Sequence, residues 1–233
     1  MINKNIFNSQ KIAILLISYF PIAIILGPLI AEIFLLLLNI LFFLNFKKNF
    51  FFKNKNLLLF LIIWAYLILN IFLSSNFNNE FLRQISYIRF IIFAFAICEF
   101  IKTKKDFNKI FKVWLVIFII VFADLIYEKI YGVNFLGFES PNKLRLVGFL
   151  KDELKIAYII TGFCFLISGH LLNTKKINYL AVIFLLLTIA IIFITGERSN
   201  FLKSIIFLFF FTFFIFNKDL KKFFLINLLS LLL

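Results

Sequence analysis

The sequence predicts an all-α protein, a polytopic bundle of transmembrane helices, and three observations support this fold class. The 233 residues are 64% hydrophobic and only 15% charged, with a mean hydropathy of +1.06. A soluble domain of this length has about a quarter of its residues charged, because polar side chains must cover its surface. Long apolar runs alternate with short clusters of Lys. The low charge and the high aromatic content also exclude an intrinsically disordered chain.

The apolar runs predict eight complete transmembrane helices, at about 17 to 25 residues for each crossing. They lie at residues 12–27, 28–46, 57–73, 84–101, 113–127, 156–172, 179–195 and 201–216. Gly27 and Pro28 join the first two helices in a tight hairpin, and Pro21 predicts a kink in the first. A truncated ninth run begins at Phe223. We therefore expect one transmembrane domain, 1–233, that is incomplete at its carboxyl terminus.

The distribution of Lys predicts the orientation, because short cytoplasmic loops are enriched in basic residues. Sixteen of the 25 basic residues, all of them Lys, fall in alternate segments at 4–11, 47–55, 102–112, 175–176 and 218–222. This pattern places the amino terminus in the cytoplasm and makes 128–155 a long outer loop. Because the Lys do not gather on one water-facing surface, nucleic acid is not an expected partner.

All four Arg are on the predicted outer side, near the amino-terminal ends of helices that enter the membrane from outside. These residues are Arg83, Arg89, Arg145 and Arg198. A helix amino terminus is partially positive, so a cation there is unfavourable unless an anion binds nearby. Arg also offers a planar fork for phosphate that Lys lacks. The pattern predicts a phosphate-binding site, whereas the alternative is that these side chains reach lipid headgroups.

Two acidic residues accompany the Arg. Glu153 precedes the helix at 156, where it can contact a glycan hydroxyl, orient an Arg, or act as a favourable acid at a helix amino terminus. Glu197 stands beside Arg198 in the turn Thr195–Asn200, and we assign it the same glycan-contacting or Arg-orienting role. The sequence identifies no catalytic residue in residues 1–233. Cys98 and Cys164 lie inside apolar runs, so we expect buried apolar side chains, with no metal and no cofactor.

Two motifs resemble those of the O-antigen ligase and O-antigen polymerase superfamily. They are the stretch Arg-x-x-Gly-Phe from Arg145, followed by Asp152-Glu153 at a helix start, and Thr-Gly-Glu-Arg-Ser-Asn from Thr195. The resemblance covers essentially the whole chain, as the amino-terminal part of a longer protein. It maps the outer Arg of that superfamily onto Arg145 and Arg198.

The resemblance implies a glycosyltransferase of lipopolysaccharide assembly that works on the outer leaflet of the bacterial inner (cytoplasmic) membrane. The outer loop 128–155 would then be periplasmic. Such an enzyme moves a glycan from undecaprenyl diphosphate to the lipid A core or to another lipid-linked repeat. Ligases of the superfamily carry a candidate base His on a late outer loop, whereas His170, the single His here, lies at the predicted inner end of its helix. We therefore expect that loop, if the chain is a ligase, beyond Leu233.

Two other classes of protein share part of this pattern. A polysaccharide flippase, or another anion or lipid transporter, also needs outer cations, but transporters tend to have internal repeats and ionisable residues near the middle of the membrane. Neither feature is evident in the sequence. A structural membrane subunit explains the apolar runs and leaves the placement of the Arg to chance.

Overall fold

A computed structural model describes residues 2–45, 55–72, 81, 84–142, 144–150, 155–172 and 179–216. Within these ranges the chain is almost entirely α-helical, and its extended backbone is limited to an isolated bridge between Val133 and Glu139. The all-α class is therefore confirmed. The helices are α1 (Ile2–Leu26), α2 (Pro28–Leu44), α3 (Lys55–Phe72), α4 (Ile88–Phe100), α5 (Lys104–Tyr131), α6 (Ile156–Leu172), α7 (Tyr179–Ile194) and α8 (Arg198–Phe216), with a short 3-10 helix at Gly148–Leu150. The run from Phe223 lies outside the described residues.

The helices fall into two compact units, Met1–Ile110 and Phe111–Leu233. In the first unit α1 packs against α2, α2 packs against α4, and α3 packs against α4. The hairpin between α1 and α2 forms as predicted, because Gly27 takes a φ of 131° and Pro28 begins the next helix. Proline suits the first position of a helix, where its missing N–H has no partner to lose.

In the second unit α6, α7 and α8 pack against one another around a small apolar core. Its buried members are Phe165, Leu185, Ile189 and Leu208. Helix α5 joins this unit through aromatic rings, since Trp114 lies edge-on to Phe163 with the ring centroids 4.9 Å apart. The helices bury one face in this way and leave large apolar side chains exposed on the other.

The length of the helices supports fewer crossings than the sequence predicts. Two described helical stretches, Ser9–Leu26 in α1 and the whole of α5, are long and apolar enough to cross a membrane. The other apolar helices are shorter and comprise Pro28–Leu44, Leu59–Ile71, Ile156–Leu172 and Tyr179–Ile194. These four helices have 17 residues or fewer, at or below the lower limit of about 17 to 25 residues for crossing a hydrocarbon core about 30 Å thick. Eight complete crossings are therefore not supported by the lengths of the described helices.

The shortfall arises because several apolar runs, such as 156–172 and 179–195, are themselves only about 17 residues long. Helix α4 is shorter than its run at 84–101, since it begins only at Ile88, after a turn at Tyr87. Two helices that can span a bilayer are compatible with a membrane protein.

Candidate functional site

Polar residues of the second unit gather where α5 ends, where α6 begins and where α7 turns into α8. The loop that follows α5 lies against that turn, because the N–H of Leu146 donates to the carbonyl oxygen of Thr195 over 3.1 Å. Gly196 has a φ of 78°, and a Cβ placed on it would stand 2.3 Å from the carbonyl oxygen of Leu144. Only glycine combines this backbone with so close an approach.

The same contact brings together two of the Arg that the sequence singles out. A Cβ on Gly196 would also lie 3.5 Å from Cγ of Arg145, and Arg198 follows two residues later as the first residue of α8. Both Arg side chains are exposed. The ion pairs among the described residues are Glu32 with Arg89 and Glu99 with Lys102, so no described carboxylate neutralises Arg145 or Arg198.

Glu197 binds backbone and amide groups. One oxygen of its carboxylate accepts from the N–H of Ala157, near the start of α6, at 3.3 Å, and the other accepts from the side-chain amide of Asn200. The residue is buried. A negative charge beside the amino ends of α6 and α8 is favourable, because both ends are partially positive. Glu197 therefore ties the turn to α6, and no hydrogen bond joins it to an Arg within the described residues.

Two further carboxylates hold the other side of the site. Glu128 is buried near the end of α5, and its two oxygens accept from the N–H groups of Val147, at 3.1 Å, and Gly148, at 2.7 Å. Asp124, one helical turn earlier, accepts from the N–H of Phe135 at 2.7 Å. The carboxylates of α5 thus anchor the loop that carries Arg145.

Sequence reasoning missed the role of Glu128, although a signal was present. Asp124 and Glu128 are four residues apart, so they lie on one face of a helix. Acidic residues near a helix carboxyl terminus are unfavourable for the helix dipole. Two acidic residues on one face at that end of an apolar helix therefore indicate that their carboxylates accept hydrogen bonds from another segment of the fold.

The other residues that the sequence singles out lie elsewhere in the described part of the chain or outside it. Arg89 belongs to the first unit, where its guanidinium pairs with Glu32 of α2 at 3.0 Å. Arg83 and Glu153 lie outside the described residues. His170 stacks on Phe111 with the ring centroids 4.5 Å apart.

No metal or redox centre is evident in the part of the chain that the structure describes. No three His, Cys, Asp or Glu side chains there are arranged to hold a metal ion. Cys164 is buried, as expected, whereas Cys98 is exposed on α4, which corrects the expectation that both are buried. Their sulfurs form no disulfide.

Comparison with known proteins does not assign the chain, since no protein-family model, curated protein or solved structure matches it.

Proposed function

We propose that the protein is a membrane glycosyltransferase of surface polysaccharide assembly, of the O-antigen ligase and polymerase kind. It would transfer a glycan from undecaprenyl diphosphate to the lipid A core or to another lipid-linked repeat. One observation carries the proposal: the loop bearing Arg145 packs directly on the Thr195–Glu197 turn that precedes Arg198. Neither guanidinium is paired with a described carboxylate.

The chemistry needs positive charge that is fixed in place. As the bond from the sugar to the diphosphate breaks, negative charge accumulates on the phosphate oxygens. Arg stabilises such oxygens with paired, charge-assisted hydrogen bonds. Donors held in position before the reaction are more effective, since they need no reorganisation in the transition state. Glu128 and Glu197 keep Arg145 and Arg198 in position, because they hold the two backbone segments that carry these Arg.

The proposal includes a polytopic arrangement in the bacterial inner membrane, with the amino terminus in the cytoplasm and both Arg on the periplasmic side. Its support is the pair of helical stretches long enough to cross a bilayer and the large apolar side chains exposed on the others, such as Tyr158 and Leu180. A reporter fused near Asn142 should be accessible from outside the membrane, and one near Asn54 should not. The reverse labelling would overturn the orientation.

A second function, transport of a lipid-linked glycan or another anionic lipid, is favoured by one observation. Glu32 and Arg89 form an ion pair between two apolar helices, α2 and α4. Ionisable residues within such helices often mark a substrate pathway in transporters. A flippase and a glycosyltransferase are separated by where the substrate accumulates when the protein fails.

The test replaces each Arg in the complete protein and follows the lipid-linked glycan. Arg145→Ala and Arg198→Ala should each lower transfer by at least about a hundredfold, the usual cost of removing one positioned donor to a transition-state charge. Arg→Lys at either position should also fail, because an ammonium does not reproduce the planar fork. Lys129→Ala is the matched control, since it removes one exposed positive charge from the end of α5.

The two functions are distinguished by the membrane face on which the untransferred lipid-linked glycan accumulates. A glycosyltransferase that fails leaves its lipid-linked substrate on the periplasmic face, whereas a flippase that fails leaves it on the cytoplasmic face. Normal transfer in both Arg→Ala variants would refute the assignment of the site.

A further inference from the structure

The loop that follows α5 presents two large apolar side chains at its turn. Phe135 and Leu136 are 51% and 60% exposed. They belong to residues 134–138, here called the tip, and the backbone on either side of the tip is joined by the bridge between Val133 and Glu139. Turns that face water are usually built from polar residues and Gly. Two adjacent large apolar residues at this turn therefore indicate an apolar partner.

Asn134 organises the backbone of the tip. Its side-chain oxygen accepts from the N–H groups of Leu136 and Phe138, at 3.0 and 2.9 Å. Its carbonyl oxygen accepts from the N–H of Gly137 at 2.9 Å, and its own N–H donates to the carbonyl oxygen of Phe138 at 3.0 Å. The side-chain amide of Asn134 donates to the carbonyl oxygen of Gly148 at 2.6 Å, which fixes the tip to the rest of the loop.

The fifth N–H of the tip binds α5, one of the two helices that are long and apolar enough to cross a membrane. The N–H of Phe135 donates to Oδ1 of Asp124 over 2.7 Å. All five N–H groups of the tip are therefore paired within the protein. Unpaired N–H groups keep irregular backbone out of lipid, because lipid offers no water to pair them. The N–H groups of the tip do not oppose contact with lipid in this way.

The contacts of Phe135 place the tip beside the last two turns of α5, which ends at Tyr131. The ring centroid of Phe135 lies 4.9 Å from that of Tyr127, four residues before the end of the helix, and Asp124 lies seven residues before it. At about 1.5 Å per residue, these two positions are about 6 and 10 Å back from the end of α5. The loop therefore folds back along the helix instead of extending away from it.

The residues at this end of α5 are those expected where a helix leaves a membrane. Tyr127 and Tyr131 have ring centroids 4.4 Å apart, and Tyr is enriched at the level of the lipid headgroups. Glu128 and Lys129 follow the apolar run of the helix. Lys129 is exposed, so its long side chain can reach lipid phosphates from this level. Phe135, beside Tyr127, lies at the same height.

We propose that the tip inserts the side chains of Phe135 and Leu136 into the headgroup region of the bilayer, on the side where α5 ends. The partner is lipid because the tip continues an apolar surface of α5, on which Ile126 and Ile130 are exposed and lie on one face, four residues apart. The hydrogen bonds of Asn134 and Asp124 prepare the backbone for this position. The inference rests on α5 crossing the membrane and does not depend on the proposed transfer reaction.

The test measures the depth of the tip with a nitroxide. The full chain with Cys98→Ser, which removes the exposed native thiol, receives Leu136→Cys, is spin-labelled and is reconstituted in vesicles of phosphatidylcholine and phosphatidylglycerol. Power-saturation EPR compares the accessibility of the label to oxygen, which concentrates in lipid, and to a water-soluble nickel chelate. We expect the label to prefer oxygen and to lie about 5 to 10 Å into the boundary between headgroups and acyl chains.

Two further labelled positions calibrate the result. Ile119→Cys, at an exposed position in the middle of α5, should prefer oxygen, and Asn142→Cys, at an exposed position later in the loop, should prefer the chelate. A label at position 136 that prefers the chelate would place the tip in water, and one shielded from both reagents would place it against protein. Either result would overturn the proposal.

The label in α5 separates this proposal from the membrane arrangement in the proposed function. Preference for the chelate at both 119 and 136 would refute the crossing by α5, and the insertion of the tip with it. Preference for oxygen at 119 and for the chelate at 136 would refute the insertion alone and leave the proposed function standing.

Asn134→Ala tests why the tip inserts. The substitution removes the acceptor of the Leu136 and Phe138 N–H groups, which then need water, so the label at position 136 should become more accessible to the chelate. Asn142→Ala is the matched control, because the Asn142 side chain accepts from the N–H of Leu144 in an exposed part of the loop, and it should leave the depth unchanged. An unchanged depth in Asn134→Ala would refute the argument from paired N–H groups.

Discussion

Replacing Gly196 by Ala tests whether the contact between the loop and the turn holds Arg145 and Arg198 together. Gly196 has a φ of 78°, a left-handed conformation that costs an L-residue about 1 to 2 kcal/mol. The added Cβ would stand 2.3 Å from the carbonyl oxygen of Leu144, whereas ordinary contact begins near 3.4 Å. The loop must therefore retreat by about 1 Å, since packed protein interiors do not absorb such an overlap.

The retreat of the loop has an additional cost in free energy, and a control variant separates it from the cost of the backbone conformation. It breaks the hydrogen bond from Leu146 to Thr195, which is 3.1 Å long and contributes about 0.5 to 1.5 kcal/mol. Gly137→Ala is the matched control, because Gly137 has a φ of 81° and nothing lies within 4 Å of its missing Cβ. The control carries the conformational cost alone, about 1 to 2 kcal/mol. Gly196→Ala should be destabilising by about 2 to 4 kcal/mol, within the usual range for overpacking and local strain.

Two measurements check this prediction. Equilibrium unfolding in mixed micelles gives the free energy of unfolding for the unmodified chain and both variants, and a transfer assay gives their activities. Gly196→Ala should also lower glycan transfer by about a hundredfold, since a displacement of about 1 Å at a positioned group has effects of that size. Equal destabilisation of the two variants would show that the Leu144 carbonyl does not press on the turn. Full transfer activity in Gly196→Ala would show that the spacing of the two Arg is unimportant.

Substitutions at two positions, Glu128 and Asp124, test the carboxylates of α5 by the same unfolding assay. Glu128→Gln leaves one acceptor for the two N–H groups of Val147 and Gly148, so the free energy of unfolding should fall by about 1 to 3 kcal/mol, while Lys129→Gln on the exposed side should have little effect. Asp124→Asn should be neutral or stabilising, because Oδ1 still accepts from Phe135 and the other oxygen, which has no hydrogen-bond partner, is replaced by an uncharged amide. Asp124→Leu loses the bond to Phe135 and should destabilise by about 1 to 3 kcal/mol. A Leu variant more stable than the Asn variant would contradict the assigned role of Asp124.

The positions of several helices could be predicted well, because an apolar run and its helix end together where a turn follows. The predicted runs 156–172 and 179–195 coincide with α6 and α7 to within one residue. The agreement is poorer for α5, which extends from Lys104 to Tyr131 although its apolar run covers only 113–127. Lys is a good helix former, so a helix continues through charged residues where hydropathy indicates a boundary. Hydropathy therefore located the helices better than it defined their lengths.

The candidate site was predictable only in part, because its supporting bonds join residues far apart in the chain. The short turn around Gly196 made Arg198 a candidate site residue from sequence alone. The carboxylate of Glu197 reaches Ala157, 40 residues away, and Glu128 reaches Gly148, 20 residues away. Arg89 likewise finds Glu32 on another helix. No spacing rule for one helix or one turn contains such pairs, since the rules describe neighbours within about four residues.

The way the carboxylates are used decides whether the charge of a nearby Arg is available to an anion. In the second unit the buried carboxylates of Glu128 and Glu197 accept hydrogen bonds from backbone N–H groups. These hydrogen bonds hold the loop and the turn in place. Had either carboxylate paired with Arg145 or Arg198, that guanidinium would have been neutralised and its attraction for phosphate weakened. In the first unit, by contrast, Glu32 does pair with Arg89. The charge of Arg89 is therefore balanced within the protein, whereas no described carboxylate balances the charge of Arg145 or Arg198.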